Sequence, residues 1–98
     1  MRFVEMKRYI SKGYEALASC VRVALEEMNS ELAVICGLPL VKMASAEAAS
    51  YVEDYYNEAM SLGVEAVRLA ESEGVPSWLV DDLEEMKKTL KEAGWEIG

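Results

Sequence analysis

The chain has 98 residues, enough for one domain whose buried fraction is modest and whose stability can depend on association. Apolar residues make up 52% of the sequence and charged residues 29%, which is typical of a folded protein and argues against disorder. The net charge of −8, with the ten basic residues spread along the chain, disfavours direct nucleic-acid binding, because a phosphate backbone requires a positive field.

The composition also limits the compartment and the chemistry. No apolar stretch approaches the length of a membrane span, and Arg2, Lys7 and Arg8 interrupt the N-terminal apolar stretch, so we expect no membrane contact, no signal peptide and a cytoplasmic location. The sequence has no His and no Gln and is rich in Glu, Val and Ala, a composition that favours a thermophilic source. The lack of His also excludes an imidazole base and Ser/His or Cys/His nucleophilic pairs.

The first helix is predicted over about residues 3–36. Apolar residues recur there at spacings of three and four, as in a sustained heptad pattern. The pattern consists of Phe3, Ile10, Tyr14, Leu17, Val21, Ala24 and Met28, widened by Leu25 and Leu32 and continued by Ile35. A break at Asn29-Ser30 with a fresh helix start is the alternative, and the absence of Gly and Pro there favours the continuous helix.

The segment Cys36-Gly37-Leu38-Pro39 is predicted to be the corner between two long helices. Gly37 can take the left-handed conformation that ends a helix, and Pro39 can open the next helix but cannot continue the previous one. The second helix is predicted over about residues 39–73, ending at Gly74. Ser45 as the N-cap of a later start is the alternative.

The third helix is predicted over about residues 77–93, with acidic residues in its first half and lysines in its second, as the helix dipole favours. Together the three segments predict a single all-α domain: a long antiparallel helical hairpin plus a shorter C-terminal helix, which forms a helical bundle by dimerisation. Two helices of about 34 residues span roughly 50 Å, whereas the third spans only about 25 Å. The corner half of the hairpin is therefore expected to lack cover.

Apolar residues of that corner half predict an interaction surface. Exposed apolar patches usually mark protein interfaces, and a second copy related by a two-fold axis is the simplest partner. We therefore expect a homodimer, with another protein as the alternative partner. The predicted interface residues are Leu25, Leu32, Ile35, Leu38, Leu40, Val41 and Met43.

Two other residue pairs have candidate chemical roles. Glu27 and Glu31 lie one helical turn apart, and such carboxylates can share a divalent cation, as in all-helical nucleotide pyrophosphohydrolases. A facing acidic pair at the same level is missing, so a solvated acidic face is favoured and no metal or cofactor is expected. Cys20 and Cys36 would lie about 24 Å apart on one continuous helix, so an intrachain disulfide would contradict that helix.

The function class that follows is broad. We expect a non-enzymatic, acidic helical-bundle protein that acts as an oligomeric adapter, regulator or assembly subunit. One alternative is a divalent-metal-dependent enzyme of the pyrophosphohydrolase type using Glu27 and Glu31. The other is a structural subunit of a larger polymer or virion, built from heterologous helix contacts.

Overall fold

Helices account for most of residues 3–46 and 55–97, the part of the chain that this computed structural model describes, with side chains described from residue 12 onward. Within these ranges there is no β-strand, and the prediction of an all-α helical bundle is confirmed. The described elements are α1 (Phe3–Glu26), α2 (Ser30–Ser45), α3 (Tyr56–Glu73), a 3-10 turn (Ser77–Leu79) and α4 (Val80–Glu92).

The predicted continuous helix over residues 3–36 is wrong, because the chain turns between α1 and α2. Met28 takes a left-handed conformation with φ 55°, and the N–H of Asn29 donates to the carbonyl of Ala24 at 2.8 Å, which closes the last turn of α1. Asn29 then caps α2, because its side-chain oxygen accepts the N–H of Leu32 at 3.0 Å. The alternative break at Asn29-Ser30 is the one that the structure contains.

The predicted corner at residues 36–39 is also wrong, because α2 runs straight through it. Gly37 lies in the helix, where a Cβ would sit 2.6 Å from the terminal methyl of Met86 and 3.4 Å from the Cβ of Ala66. Its missing side chain therefore permits close helix packing rather than a turn. Pro39 is an exposed residue in the interior of α2, where its fixed φ is compatible with the helix but it has no N–H to donate.

The predicted second helix over residues 39–73 is divided as well. Residues 39–45 belong to α2, and α3 begins only at Tyr56. Ser45, the alternative N-cap, is the last residue of α2. Residues 47–54 of the predicted helix lie outside the described residues.

The helices pack with α2 and α3 as the central pair, and α1 and α4 each contact both members of that pair. Helix α1 is antiparallel to α2, since Cys20 meets Cys36 and Gly13 lies beside the terminal methyl of Met43. The hydroxyl of Ser30, at the start of α2, donates to the carbonyl of Gly74, just after α3, at 2.6 Å. Helix α2 is therefore enclosed on three sides by its own chain.

The core lies between these four helices and contains mostly aliphatic and small side chains. Its largest fully buried members are Leu40, Met60, Leu79, Met86, Leu90, Val21, Val34, Val41 and Val67. Helix α4 ends at Glu92; Gly94, with φ 86°, then turns the chain, and the N–H of Trp95 donates to the carbonyl of Leu90 at 2.9 Å. Trp95 then packs edge-to-face on Tyr56, with ring centroids 6.3 Å apart, and fastens the tail to α3.

Alanine is expected to affect stability differently at the two glycines that lie in the helical core. A Cβ at Gly63 would collide with the Cγ2 methyl of Val41, whose β-branched side chain is stiff, whereas at Gly37 it meets the flexible end of Met86. Overpacking costs about 1–3 kcal/mol, and replacing a helical glycine returns about 1 kcal/mol. We expect Gly63→Ala to lower the free energy of unfolding by about 1 kcal/mol and Gly37→Ala to leave it unchanged or slightly raised. Urea unfolding of both variants measures this, and a Gly63→Ala variant as stable as Gly37→Ala would contradict it.

Candidate interaction surface

The outward side of α2 is the candidate functional surface. Four residues at spacings of four, three and four lie along this side of the helix, and we refer to Glu31, Ile35, Leu38 and Lys42 as the α2 stripe. Ile35 is 44% exposed, Glu31 and Lys42 are exposed, and Leu38 is half-buried. The stripe thus has an apolar centre with one acidic and one basic end.

The borders of the stripe are formed by α1 on one side and α4 on the other. On the α1 side, Leu32 and Met43 are partly buried against the core. On the α4 side, Lys42 forms an ion pair with Glu85 at 2.5 Å, and both side chains remain about half exposed. The apolar centre is therefore bordered by further apolar area towards α1 and by charge towards α4.

Five of the seven predicted interface residues keep exposed surface in the structure. Leu25, Leu32, Leu38 and Met43 are partly buried against the core, and Ile35 is the most exposed of the set. The other two, Leu40 and Val41, have no exposed surface, because they point from α2 between the neighbouring helices. Their assignment to an interface is corrected: they are core residues of the single chain.

A disulfide joins Cys20 of α1 to Cys36 of α2, with the two Cα atoms 6.1 Å apart. The expectation that these cysteines lie about 24 Å apart on one helix is overturned, because the turn at residues 27–29 folds α2 back along α1. Cys36 is next to Ile35 in sequence and is 9% exposed, while Cys20 is half-buried. The bond therefore lies beside the α2 stripe and fixes α1 against the helix that carries it.

Glu27 and Glu31, the candidate metal ligands, are both exposed and lie on either side of the start of α2. Glu27 follows the last residue of α1, whereas Glu31 is in the first turn of α2, where the helix dipole favours a negative charge. Within the described ranges, no group of three or more His, Cys, Asp or Glu side chains could hold a metal ion. A shallow groove of about 230 Å³ next to Glu31 is lined by Asn29, Leu32 and Ile35, so its walls offer few ligands for a cation.

The tyrosines have an interior role where they are described. Tyr14 is buried and stacks on Tyr55, with ring centroids 4.5 Å apart. Burial raises the pKa of Tyr14, the nearby Arg22 lowers it, and Tyr55 raises it. Arg22 itself forms an ion pair with Glu58 that links α1 to α3. Tyr51 lies outside the described residues.

A second groove, of about 470 Å³, lies between α3, α4 and the C-terminal tail. Its cationic walls are largely engaged by neighbouring groups: the Arg68 Nε donates to the carbonyl of Ile97 at 3.0 Å, and Lys87 lies 3.7 Å from Glu71. Arg68 also contacts Glu65 at 3.0 Å. The bond from Arg68 to Ile97 fastens the tail to α3, and the contact of Lys87 with Glu71 joins α4 to α3.

Comparison with known proteins finds no match for this chain among family models, curated proteins or solved structures. Among the described residues, no helix combines the length and the apolar composition that a membrane span requires. Function is therefore inferred from the surface chemistry of the described residues, above all the α2 stripe.

Proposed function

We propose that this chain is a non-enzymatic adapter or assembly subunit that works as a homodimer, with the α2 stripe at the centre of its interface. The observation that carries this proposal is the exposure of Ile35, 44%, in the middle of a helix that its own chain encloses on three sides. Leu32, Leu38 and Met43 add partly exposed apolar area around it. A contiguous apolar area of this kind is what protein interfaces bury.

The charge of the stripe favours a second copy as its partner. The chain carries a net charge of −8, so two copies repel each other over most of their surfaces. The stripe is an exception, because Glu31 and Lys42 balance each other at its two ends. Two copies can therefore meet there with less charge repulsion than over the rest of their surfaces, and a domain of 98 residues gains buried apolar area from the contact.

The disulfide limits the compartments in which this protein can act. Stable disulfides are typical of oxidising compartments, and the established exception is the interior of hyperthermophiles. The absence of His and Gln and the abundance of Glu favour the second setting. We therefore propose that the protein acts in the cytoplasm of a thermophile, where the bond stabilises the chain.

The proposed homodimer is tested by placing a charge at the centre of the stripe. We expect Ile35→Glu to convert the dimer into a monomer of 10.9 kDa, because a buried unpaired carboxylate is costly at an interface. Val23→Glu is the matched control, since Val23 is 45% exposed on α1 and is also β-branched. Light scattering after gel filtration, over a wide range of concentrations, measures the mass of each variant.

Three results would count against the proposal. A wild-type chain that is monomeric at every concentration would exclude the homodimer, and an Ile35→Glu variant that stays dimeric would exclude the stripe as its interface. A mass that grows continuously with concentration would indicate heterologous contacts and favour a polymer subunit instead.

A further inference from the structure

We propose that the second copy docks with its α2 antiparallel to the first, so that Glu31 of each copy pairs with Lys42 of the other. The two-fold axis then passes between residues 36 and 37. This inference rests on the proposed homodimer and specifies the geometry of the same surface.

The positions of the stripe residues are symmetric about that midpoint. Glu31 and Lys42 are equally far from it along the helix, and so are Ile35 and Leu38. An isologous interface requires that if one residue contacts a second, the second contacts the first in return. In an antiparallel pair, Ile35 therefore meets Leu38 of the second copy, and Glu31 meets Lys42 of the second copy.

A parallel arrangement of the two helices is disfavoured by the same four residues. It would place Glu31 opposite Glu31 of the second copy and Lys42 opposite Lys42 of the second copy. Two like-charged side chains in contact repel each other by about as much as two oppositely charged ones attract. The antiparallel arrangement converts both repulsive pairs into attractive ones and also opposes the two helix dipoles.

The ends of the stripe are suited to these pairs. Glu31 has no ion-pair partner within the described part of the chain. Lys42 is 53% exposed although it contacts Glu85, so its ammonium group can lie between two carboxylates, one from each copy. The distance along the helix from Glu31 to Lys42 is roughly 16 Å, which fits a short contact centred on Ile35 and Leu38.

Single charge reversals test the pairing. Glu31→Lys gives two repulsive contacts with Lys42 in its own homodimer, and Lys42→Glu gives two with Glu31. Each variant is expected to self-associate roughly tenfold or more weakly than the wild type. An equimolar mixture of the two variants should associate about as tightly as the wild type, because both charge pairs between residues 31 and 42 of the two copies are then attractive. The matched controls are Glu15→Lys on α1 and Lys91→Glu on α4, which make the same charge changes at exposed positions. Lys91 lines the groove between α3, α4 and the C-terminal tail, not the α2 stripe.

Sedimentation velocity at low salt measures each association. Weakened single variants with a restored mixture would support the antiparallel pairing. A dimer that survives both reversals unchanged, or a mixture that is not restored, would overturn the pairing while leaving the homodimer in place. A wild-type chain that never dimerises would overturn the homodimer itself, so the two failures are distinguishable.

Discussion

Reduction of the Cys20–Cys36 disulfide is expected to lower the melting temperature of this chain by about 12–24 °C. The bond closes a loop between residues 16 positions apart and thereby restricts the unfolded chain, which corresponds to about 3 kcal/mol for a loop of this length. For a domain of this size, each kcal/mol shifts the melting temperature by about 4–8 °C. Circular dichroism with and without a phosphine reductant measures the effect.

The control for this experiment is the double variant Cys20→Ala/Cys36→Ala. It should melt close to the reduced wild type, and its melting temperature should not respond to the reductant. Identical melting of the oxidised and reduced wild type would contradict the prediction and would place the stability of the α1–α2 pair in its apolar contacts alone.

Leu40→Ala is expected to lower the free energy of unfolding by about 2–5 kcal/mol, because Leu40 is fully buried and its removal leaves a cavity between the helices. The matched variant is Leu38→Ala, on the same helix, whose side chain is only half-buried. We expect it to lower the free energy of unfolding by less and to weaken self-association instead.

Urea unfolding and the mass in solution, measured on both variants, separate the two roles. Equal losses of stability, or a larger loss for Leu38→Ala, would contradict the assignment of Leu40 to the core. Loss of the dimer in folded Leu40→Ala would point to an interface that depends on the core packing of α2.

The all-α character of the fold could be predicted from sequence because the apolar spacing of three and four residues depends only on the period of the helix. The position of the turn between α1 and α2 could not be predicted, because glycine and proline each have more than one structural use. Gly37 and Pro39 resemble a helix end, yet Gly37 allows close packing against Met86, and Pro39 is tolerated on the exposed side of α2. The actual turn uses Met28, a residue type that rarely adopts positive φ.

One signal at the true turn was present in the sequence. Asn29 is a favoured N-cap residue, and Glu31 in the first turn after it suits the helix dipole. Weighing these above the missing Gly and Pro would have placed the break correctly.

The wrong predictions for the cysteines and for Leu40 and Val41 follow from the assumption of one continuous helix over residues 3–36. A continuous helix separates Cys20 from Cys36, whereas a turn at residue 28 brings them within disulfide distance. A continuous helix would also leave Leu40 and Val41 without neighbouring helices to bury them, whereas in the structure α2 lies between the other helices. Ile35 keeps its predicted exposure because, within residues 3–46 and 55–97, it lies on the side of α2 that no other helix covers. Burial on a helix can be predicted from sequence only once its neighbours are known.

Pro39 has a consequence for water at the proposed interface. Because proline has no N–H, the carbonyl of Ile35, four residues earlier, does not receive its usual helical hydrogen bond. This carbonyl belongs to the residue at the centre of the stripe, and in the antiparallel dimer the two copies of it would lie near the symmetry axis. A polar acceptor there requires a donor, and a bound water shared between the copies supplies one. The centre of the interface is therefore expected to be hydrated, with its apolar contacts arranged around an ordered solvent site.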